Sequence, residues 1–252
     1  MGLDDNPHRS YGPLARGAKK MARLSDLVTK TSVVLGISEP TVAMHARHLR
    51  EGGLISKSGR GASAARMSAL DAARMLISFL CTDIAKNSAE VVRDFGSLVL
   101  LYKADELGEE TSKDPIKDKF GAASDDIFER TLANILDAMG GEEHDPYMDG
   151  GMLNFCHMEI RFKEFIQTIS ISCGGIDYFY GPTEEREFIE SLVASQDKYI
   201  VDEVSRIKSA EELSVKYNRG LRIERSVLSY ELKRLADLIA DRDDTIWKVF
   251  NE

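Results

Sequence analysis

The sequence predicts a predominantly helical α+β fold, and three patterns predict it. Apolar residues recur at three- and four-residue intervals in two stretches, residues 39–51 and 69–80, which is the spacing of one helix face. Between residues 158 and 173 apolar and polar residues alternate, as they do in half-buried strands. We therefore expect N-terminal helices carrying a small hairpin, followed by a mixed domain in which a β-hairpin or small antiparallel sheet is covered by helices.

The helix predicted at residues 39–51 has sharp boundaries. Ser38 is placed to cap its N-terminus, and Gly52-Gly53 ends it. Val42, Ala46 and Leu49 share the face that we expect to pack inward. The residues expected to point away from the core, with His45 and His48 on the flanks, are Glu39, Ala43, Met44, Arg47 and Arg50.

A second apolar stripe precedes this helix, and Gly36-Ile37 supplies a tight turn between the two helices. The stripe consists of Leu24, Leu27, Val28, Val34 and Leu35. Two helices joined by so short a turn must cross at a steep angle, which is the arrangement of a helix-turn-helix.

A basic hairpin is predicted directly after the second helix. Residues 54–56 lead into Lys57, residues 58–61 include two glycines that can adopt positive φ, and residues 64–67 form the return strand. Lys57, Arg60 and Arg66 bracket the tip, where they can contact a phosphate backbone or enter a minor groove. Ser68 and Asp71 then form a capping box for a helix from Ala69 to about Leu80.

Roughly residues 20–85 resemble winged helix-turn-helix regulators of the arsenical-repressor and MarR type. Their pattern S-x-x-T-V-(S/A)-x-H-x-x-x-L-R-E-x-G-L-I is met from Ser38 to Ile55. The same region with its basic turn is similar to DNA-binding proteins of alphaproteobacterial prophages. The resemblance implies that helix 39–51 enters the major groove and that the wing at 57–66 contacts the DNA backbone. The DNA-binding residues expected from the motif and the exposed face are Ser38, Glu39, Thr41, Ala43, Met44, His45, Arg47, His48, Lys57, Arg60 and Arg66.

This sequence departs from the family pattern on the exposed face of the helix. Glu39, Pro40, Ala43 and Met44 stand where polar base-reading residues are more usual. Base readout is therefore expected to be weak, or to be shared with His45 and Arg47.

Charge is distributed unevenly along the chain. Residues 1–70 carry 11 Lys and Arg against 5 Asp and Glu, a net charge of +6, whereas the remaining 182 residues carry 22 against 37, a net charge of −15. The basic part suits phosphate and the acidic part repels it. The overall net charge of −9 is therefore no argument against DNA binding.

The first twenty residues are rich in Gly and Pro and contain four cations, so two interpretations stay open. They form either a basic flexible arm that orders on DNA or an ordinary solvated tail. No apolar run approaches the roughly 20 residues that a membrane span needs, and no apolar signal core occurs. We expect a cytoplasmic, nucleoid-associated protein whose three cysteines are reduced core residues, namely Cys81, Cys156 and Cys173.

In the predicted domain organisation, four parts follow the N-terminal segment of residues 1–20. Residues 21–86 form the winged helix-turn-helix domain, 87–103 a connecting amphipathic helix, 104–123 a linker, and 124–252 an acidic α+β domain for oligomerisation or partner binding. The last domain should contain a helix ending at Gly140-Gly141, strands near 157–162 and 168–173 with Lys163-Glu164 between them, and a third strand at 176–180.

A C-terminal amphipathic helix is expected to be either core or a dimer seam, and we favour core because its apolar run is too short for sustained heptads. Its apolar residues are Val227, Leu228, Leu232, Leu235, Leu238 and Ile239, and its solvent side carries Glu231, Lys233, Arg234 and Asp237.

The sequence contains no catalytic motif, so we expect neither enzymatic activity nor a cofactor. G-x-S-x-G and H-E-x-x-H are absent, and the paired glycines lack the Lys and Ser/Thr of a phosphate loop. His144, Asp145, Cys156 and His157 match no ligand spacing, and the acidic loop 142–149 lacks the closing glutamate of an EF-hand. No metal site is therefore predicted.

These observations favour a protein that binds double-stranded DNA as a transcriptional regulator of a bacterial prophage or other mobile element. By analogy with such regulators we expect a homodimer, with the C-terminal domain available to a protein partner and with no membrane association. One alternative is a DNA-packaging or replication accessory protein that uses the same module. The second alternative is a protein-interaction module that has lost DNA binding.

Overall fold

The computed structural model confirms an α+β fold, and it describes residues 22–56, 66–105, 111–121, 127–140, 159–163, 168–183 and 224–240. We number the elements in chain order along these residues. The helices are α1 (Leu24–Leu35), α2 (Glu39–Glu51), α3 (Ala69–Cys81), α4 (Ser88–Gly96), α5 (Pro115–Phe120), α6 (Phe128–Met139) and α7 (Ser229–Ile239). The strands are β1 (Val99–Asp105), β2 (Glu159–Lys163), β3 (Thr168–Cys173), β4 (Ile176–Gly181) and β5 (Glu224–Leu228).

Among the first three helices, the ends that the sequence assigned to a capping residue or a glycine lie where they were predicted. Gly36 ends α1 in the left-handed region with φ of 65°, a conformation that glycine adopts without steric cost. The Ser38 hydroxyl accepts a hydrogen bond from the Thr41 amide, which caps α2. Ser68 and Asp71 form the predicted capping box at the start of α3. Local sequence signals were therefore sufficient to place these helices.

One antiparallel sheet with the strand order β1-β4-β3-β2-β5 forms the β part of the fold. Its centre is the predicted series of strands β2, β3 and β4, in which Ile171 lies opposite Ile160 on one side and Tyr178 on the other. Alternate residues along β3 and β4 are buried, so one sheet face packs against the helices. The edge strands β1 and β5 were not predicted.

The predicted connecting helix at 87–103 is wrong beyond residue 96. Helix α4 buries Val91, Val92 and Phe95 as expected, but the chain then turns and Val99–Asp105 pairs with β4 as a strand. Residues 98–102 are apolar or aromatic, and pairing with the sheet edge outweighs their helical spacing. Sequence periodicity alone does not distinguish these two outcomes for a short apolar run.

The predicted linker at 104–123 also contains regular structure in its described part. Ala104 and Asp105 complete β1, and α5 follows with Asp114 as its N-cap. The Tyr178 hydroxyl donates to Asp114 Oδ1 at 3.0 Å and accepts from the Ile116 amide at 3.2 Å, which ties α5 to the sheet. Together with the Lys103–Asp114 ion pair and the burial of Ile116, this anchor orders a segment whose composition predicted a linker.

Helix α7 packs into the core, as we favoured, but two of its residues that were predicted to be exposed are buried. Leu232 and Leu235 are buried where α7 packs against α1 and α6, whereas Val227 and Leu228 belong to β5. Lys233 and Asp237 were expected in solvent and are buried, where they form an ion pair with each other. Burial of both charges is possible because each neutralises the other one helical turn away.

The buried apolar residues of the described ranges form one continuous core, which runs from Leu27 in α1 to Ala236 in α7. Helix α3 packs against α6, and α1 packs against α7. Residues 21–86, which the sequence set apart as a domain, therefore share their core with helices from the second half of the chain. No helix in the described ranges is long and apolar enough to cross a membrane.

Candidate nucleic-acid interface

The outward face of α2 contains most of the residues that the sequence assigned to DNA. Val42, Ala46 and Leu49 are fully or almost fully buried on the opposite face, as predicted. The exposed residues of the expected set on and before this helix are Ser38, Glu39, Thr41, Ala43, Met44 and Arg47. The structure thus confirms which side of α2 faces solvent, and contact of these residues with DNA stays a prediction.

His45 is the exception, because it is fully buried and cannot contact DNA from this position. Its ring stacks on Phe79 of α3 with 4.2 Å between ring centroids, and its Nδ1 lies 2.9 Å from the Ser88 hydroxyl. The Ser88 hydroxyl also donates to the carbonyl of Ala85 at 2.7 Å, which holds this serine in place beside His45. The side chain therefore fastens α2 to α3 and α4.

Burial also determines the charge of His45. It lowers the pKa of this histidine from its ordinary 6.5 to about 4, although the carboxylate and backbone of nearby Asp83 oppose part of the shift. Its Nε2 is buried without a hydrogen-bond partner among the described residues. A neutral ring is the form that such a site favours, so His45 contributes packing and not positive charge near pH 7.

Arg47 is held by an acidic residue that the sequence analysis left out of the site. Its Nε donates to Glu51 Oε1 at 2.8 Å, one turn further along the exposed face, and this hydrogen bond lowers the pKa of Glu51. The two side chains are 66% and 52% exposed, so the pair adds little stability. His48 is partly buried, with Nδ1 3.6 Å from Glu51 Oε2. Glu51 therefore neutralises the charge of Arg47 and weakens its attraction to a phosphate, while the Nη groups of the arginine can still donate hydrogen bonds to a base.

The carboxylate of Asp71 closes the base of the predicted wing. Asp71 is buried and accepts hydrogen bonds from the Ser56 amide at 2.9 Å and from the Ser68 amide at 2.8 Å, as well as from both serine hydroxyls. The Met67 amide also donates to the Ala22 carbonyl at 2.9 Å. Residues 56 and 68, which flank the predicted wing loop, are therefore held together.

The strand pair predicted at the base of this loop is wrong for the residues that the structure describes there. Residues 54–56 and 66–67 are not strands, because the Leu54 amide bonds back to the Leu49 carbonyl and the Ser56 amide bonds to Asp71. Arg66 is exposed at the end of the loop. Lys57 and Arg60, with the rest of residues 57–65, lie outside the described residues.

Two arginines that the sequence analysis did not select hold the C-terminal end of α2. Arg74 of α3 donates to the Leu54 carbonyl at 2.8 Å and pairs with Glu129 of α6 through two further bonds of 2.8 and 2.9 Å. Arg93 of α4 donates to the Gly52 carbonyl at 2.8 Å. Arg74 is the single basic residue of the predominantly apolar helix 69–81, and this was the signal available in the sequence.

Most of the excess positive charge lies outside the two helices. Residues 22–56 carry four Lys and Arg against three Asp and Glu, whereas residues 57–66 carry three against none and residues 1–21 carry four against two. Helix α2 itself has two arginines and two glutamates. Any strong attraction to phosphate must therefore come chiefly from the segments that flank α1 and α2.

Comparison of the chain with family models, with curated proteins and with solved structures returned no match. The likeness to winged helix-turn-helix regulators therefore depends on the motif at residues 38–55.

Metal binding finds no support in the part of the chain that the structure describes, where no three His, Cys, Asp or Glu side chains are grouped to hold an ion. Cys81 and Cys173 are buried thiols outside any disulfide, as expected, and burial raises the pKa of Cys81. Cys156 and the His144, Asp145 and His157 considered with it lie outside the described residues.

Proposed function

We propose that this chain binds double-stranded DNA as a winged helix-turn-helix transcriptional regulator of a bacterial prophage or related mobile element. In this proposal α2 enters the major groove, and the basic loop at 57–66 contacts the phosphate backbone beside it. The observation that carries the proposal is the closure of this loop by Asp71 next to the end of an exposed helix.

The firm attachment of α2 supports this proposal. His45 fastens its middle to Phe79 and Ser88, while Arg93 and Arg74 hold the carbonyls of Gly52 and Leu54 at its end. A Cβ added to Gly52 would lie 2.6 Å from the Ala89 Cβ, so only glycine fits where the end of α2 meets α4. A helix held in this way presents its outward face as a rigid unit, which major-groove recognition requires.

The chemistry of the loop supports the backbone contact. Its residues 57–66 include three cations and no acid, and the residues that flank it, Ser56 and Ser68, are both held by Asp71 in the first turn of α3. Phosphates line both sides of a major groove, so a helix within the groove brings a neighbouring loop close to them. The regulator assignment, in contrast with DNA binding itself, comes from the family resemblance.

Salt-dependent binding of the full chain to a pool of random DNA duplexes tests this proposal. We expect log Kd to rise linearly with log salt concentration, with a slope near 0.9 per phosphate contact. Replacing Lys57 and Arg60 together by Ala should weaken binding to every sequence and lower that slope by about two. The matched control replaces Lys117 and Arg130, two exposed cations on α5 and α6, and should leave both quantities unchanged.

Absence of retention at low salt would overturn DNA binding and favour the protein-interaction alternative. The balanced charge of α2 and its exposed Met44 are the observations that support this alternative. If the chain binds DNA, the genomic location of the retained sequences distinguishes a transcriptional regulator from a packaging or replication accessory protein. Sites in promoters support regulation, whereas sites at a packaging or replication locus support the accessory role.

A further inference from the structure

The outward face of α2 differs between its two halves. By the helical period, Pro40, Met44, Arg47 and Glu51 follow one another along the middle of this face, and all four are exposed. The Arg47–Glu51 ion pair occupies the C-terminal half. The N-terminal half is lined by Pro40 and Met44 with Thr41 and Ala43 at its sides, and it consists mainly of apolar groups.

The hydroxyl groups in that N-terminal half are already engaged with each other. The Thr41 hydroxyl lies 2.7 Å from the Ser38 hydroxyl, and the same Ser38 oxygen caps the helix. Thr41 also carries a methyl group, on one side of the half-exposed Met44 thioether, and Ala43 carries its methyl group on the other side. Glu39 stands at the edge of the face in the first turn, where a carboxylate complements the positive end of the helix.

The major groove offers a single apolar group to such a surface, the C5 methyl of thymine. In helix-turn-helix proteins the N-terminal residues of the recognition helix are those that reach base edges. The three cations at 57–66, which follow α2 in the chain without an intervening acid, favour a polyanion over a protein as the occupant of this surface. Building on the proposed function, we infer that Thr41, Ala43 and Met44 read thymine methyl groups, so that the DNA sites of this protein are defined by thymines under the first turns of α2.

Replacement of thymine by uracil tests this inference, because it removes the C5 methyl and leaves base pairing intact. The probe is the duplex most enriched from the random pool, synthesised once with thymidine and once with deoxyuridine, and titrated with the full chain. We expect deoxyuridine to raise Kd by about fourfold for each contacted methyl. The ratio of the two Kd values should be the same at two salt concentrations, because a methyl contact releases no counterion.

Two single variants locate the effect on α2. Met44→Ala should bring the ratio of the uracil and thymine Kd values closer to one. Val33→Ala provides the matched control, because Val33 on α1 is exposed to a similar extent, 55% against 51% for Met44. The control should leave the ratio as it is in the wild-type chain.

The outcomes separate this inference from the function on which it rests. Failure to bind either duplex at low salt overturns DNA binding and the methyl readout with it. Equal Kd values for the two duplexes overturn the methyl readout and leave DNA binding standing. A Met44→Ala variant that changes the mass of the particle in sedimentation, with no change in the Kd ratio, would make Met44 a self-association contact and would also overturn the readout.

Discussion

At the scale of single residues, His45 shows why a polar side chain on a predicted exposed helix need not be exposed. His45 lies beside the buried stripe of Val42, Ala46 and Leu49, and in this structure the edge of the stripe is buried as well. The neighbours that make burial favourable, Phe79 and Ser88, come from α3 and α4. The sequence of α2 alone therefore could not assign this residue.

Burial of a neutral His45 should make the protein less stable as the pH falls. The pKa is about 4 in the folded chain and near 6.5 when unfolded, so between these values only the unfolded chain takes up the proton. We expect the free energy of unfolding, measured with urea, to be fully present above pH 6.5 and to fall toward pH 4 by up to about 1.4 kcal/mol per pH unit.

Substitution of each histidine by glutamine separates this effect from other titrations. His45→Gln should reduce the pH dependence between 6.5 and 4, whereas His48→Gln, at a partly exposed site, should leave it nearly unchanged. An unaltered pH dependence in His45→Gln would show that other groups cause the loss of stability.

At the scale of elements, Asp71 has two tasks where an ordinary capping residue has one. It completes the capping box of α3, and it also binds the Ser56 amide and hydroxyl across the base of the loop. Asp26 occupies the equivalent third position of α1, where its carboxylate accepts a hydrogen bond from the Arg23 amide. The two aspartates therefore form a matched pair for measuring the loop anchor.

We expect Asp71→Ala to lower the free energy of unfolding by about 2–4 kcal/mol, since it removes a cap and leaves part-buried donors at Ser56 and Ser68 unsatisfied. Asp26→Ala should cost about 1 kcal/mol, the usual value of a cap. Urea unfolding of both variants measures the difference. Equal losses would mean that Asp71 acts only as a helix cap and that the loop has no anchor there.

At the scale of the whole molecule, a shared core joins the DNA-binding candidate to the sheet and to α7. Helix α1 packs on α7 and α3 packs on α6, while Arg74 links Leu54 to Glu129 across the same boundary. Elements that bury one another's apolar faces unfold together. The N-terminal helices should therefore depend on residues far along the chain for their stability.

Leu232→Ala tests this dependence at a fully buried position of α7. The substitution should cost about 2–5 kcal/mol and should speed hydrogen exchange of amides in α1 to α3 as well as in α7. Leu228→Ala, at a leucine that is 39% exposed, is the matched control and should have a small effect on both. Faster exchange confined to α7 would instead indicate two units that open independently.

The sequence by itself determined the elements whose signals are local. Capping residues and glycines placed α1, α2 and α3, and alternation placed β2, β3 and β4, because these signals act between residues a few positions apart. Only the tertiary structure decided the rest. Pairing with β4 made residues 99–105 a strand, packing against α3 and α4 buried His45, and packing against α1 and α6 buried Lys233 and Asp237. In each case the deciding partner lies tens to hundreds of residues away, where no local pattern can report it.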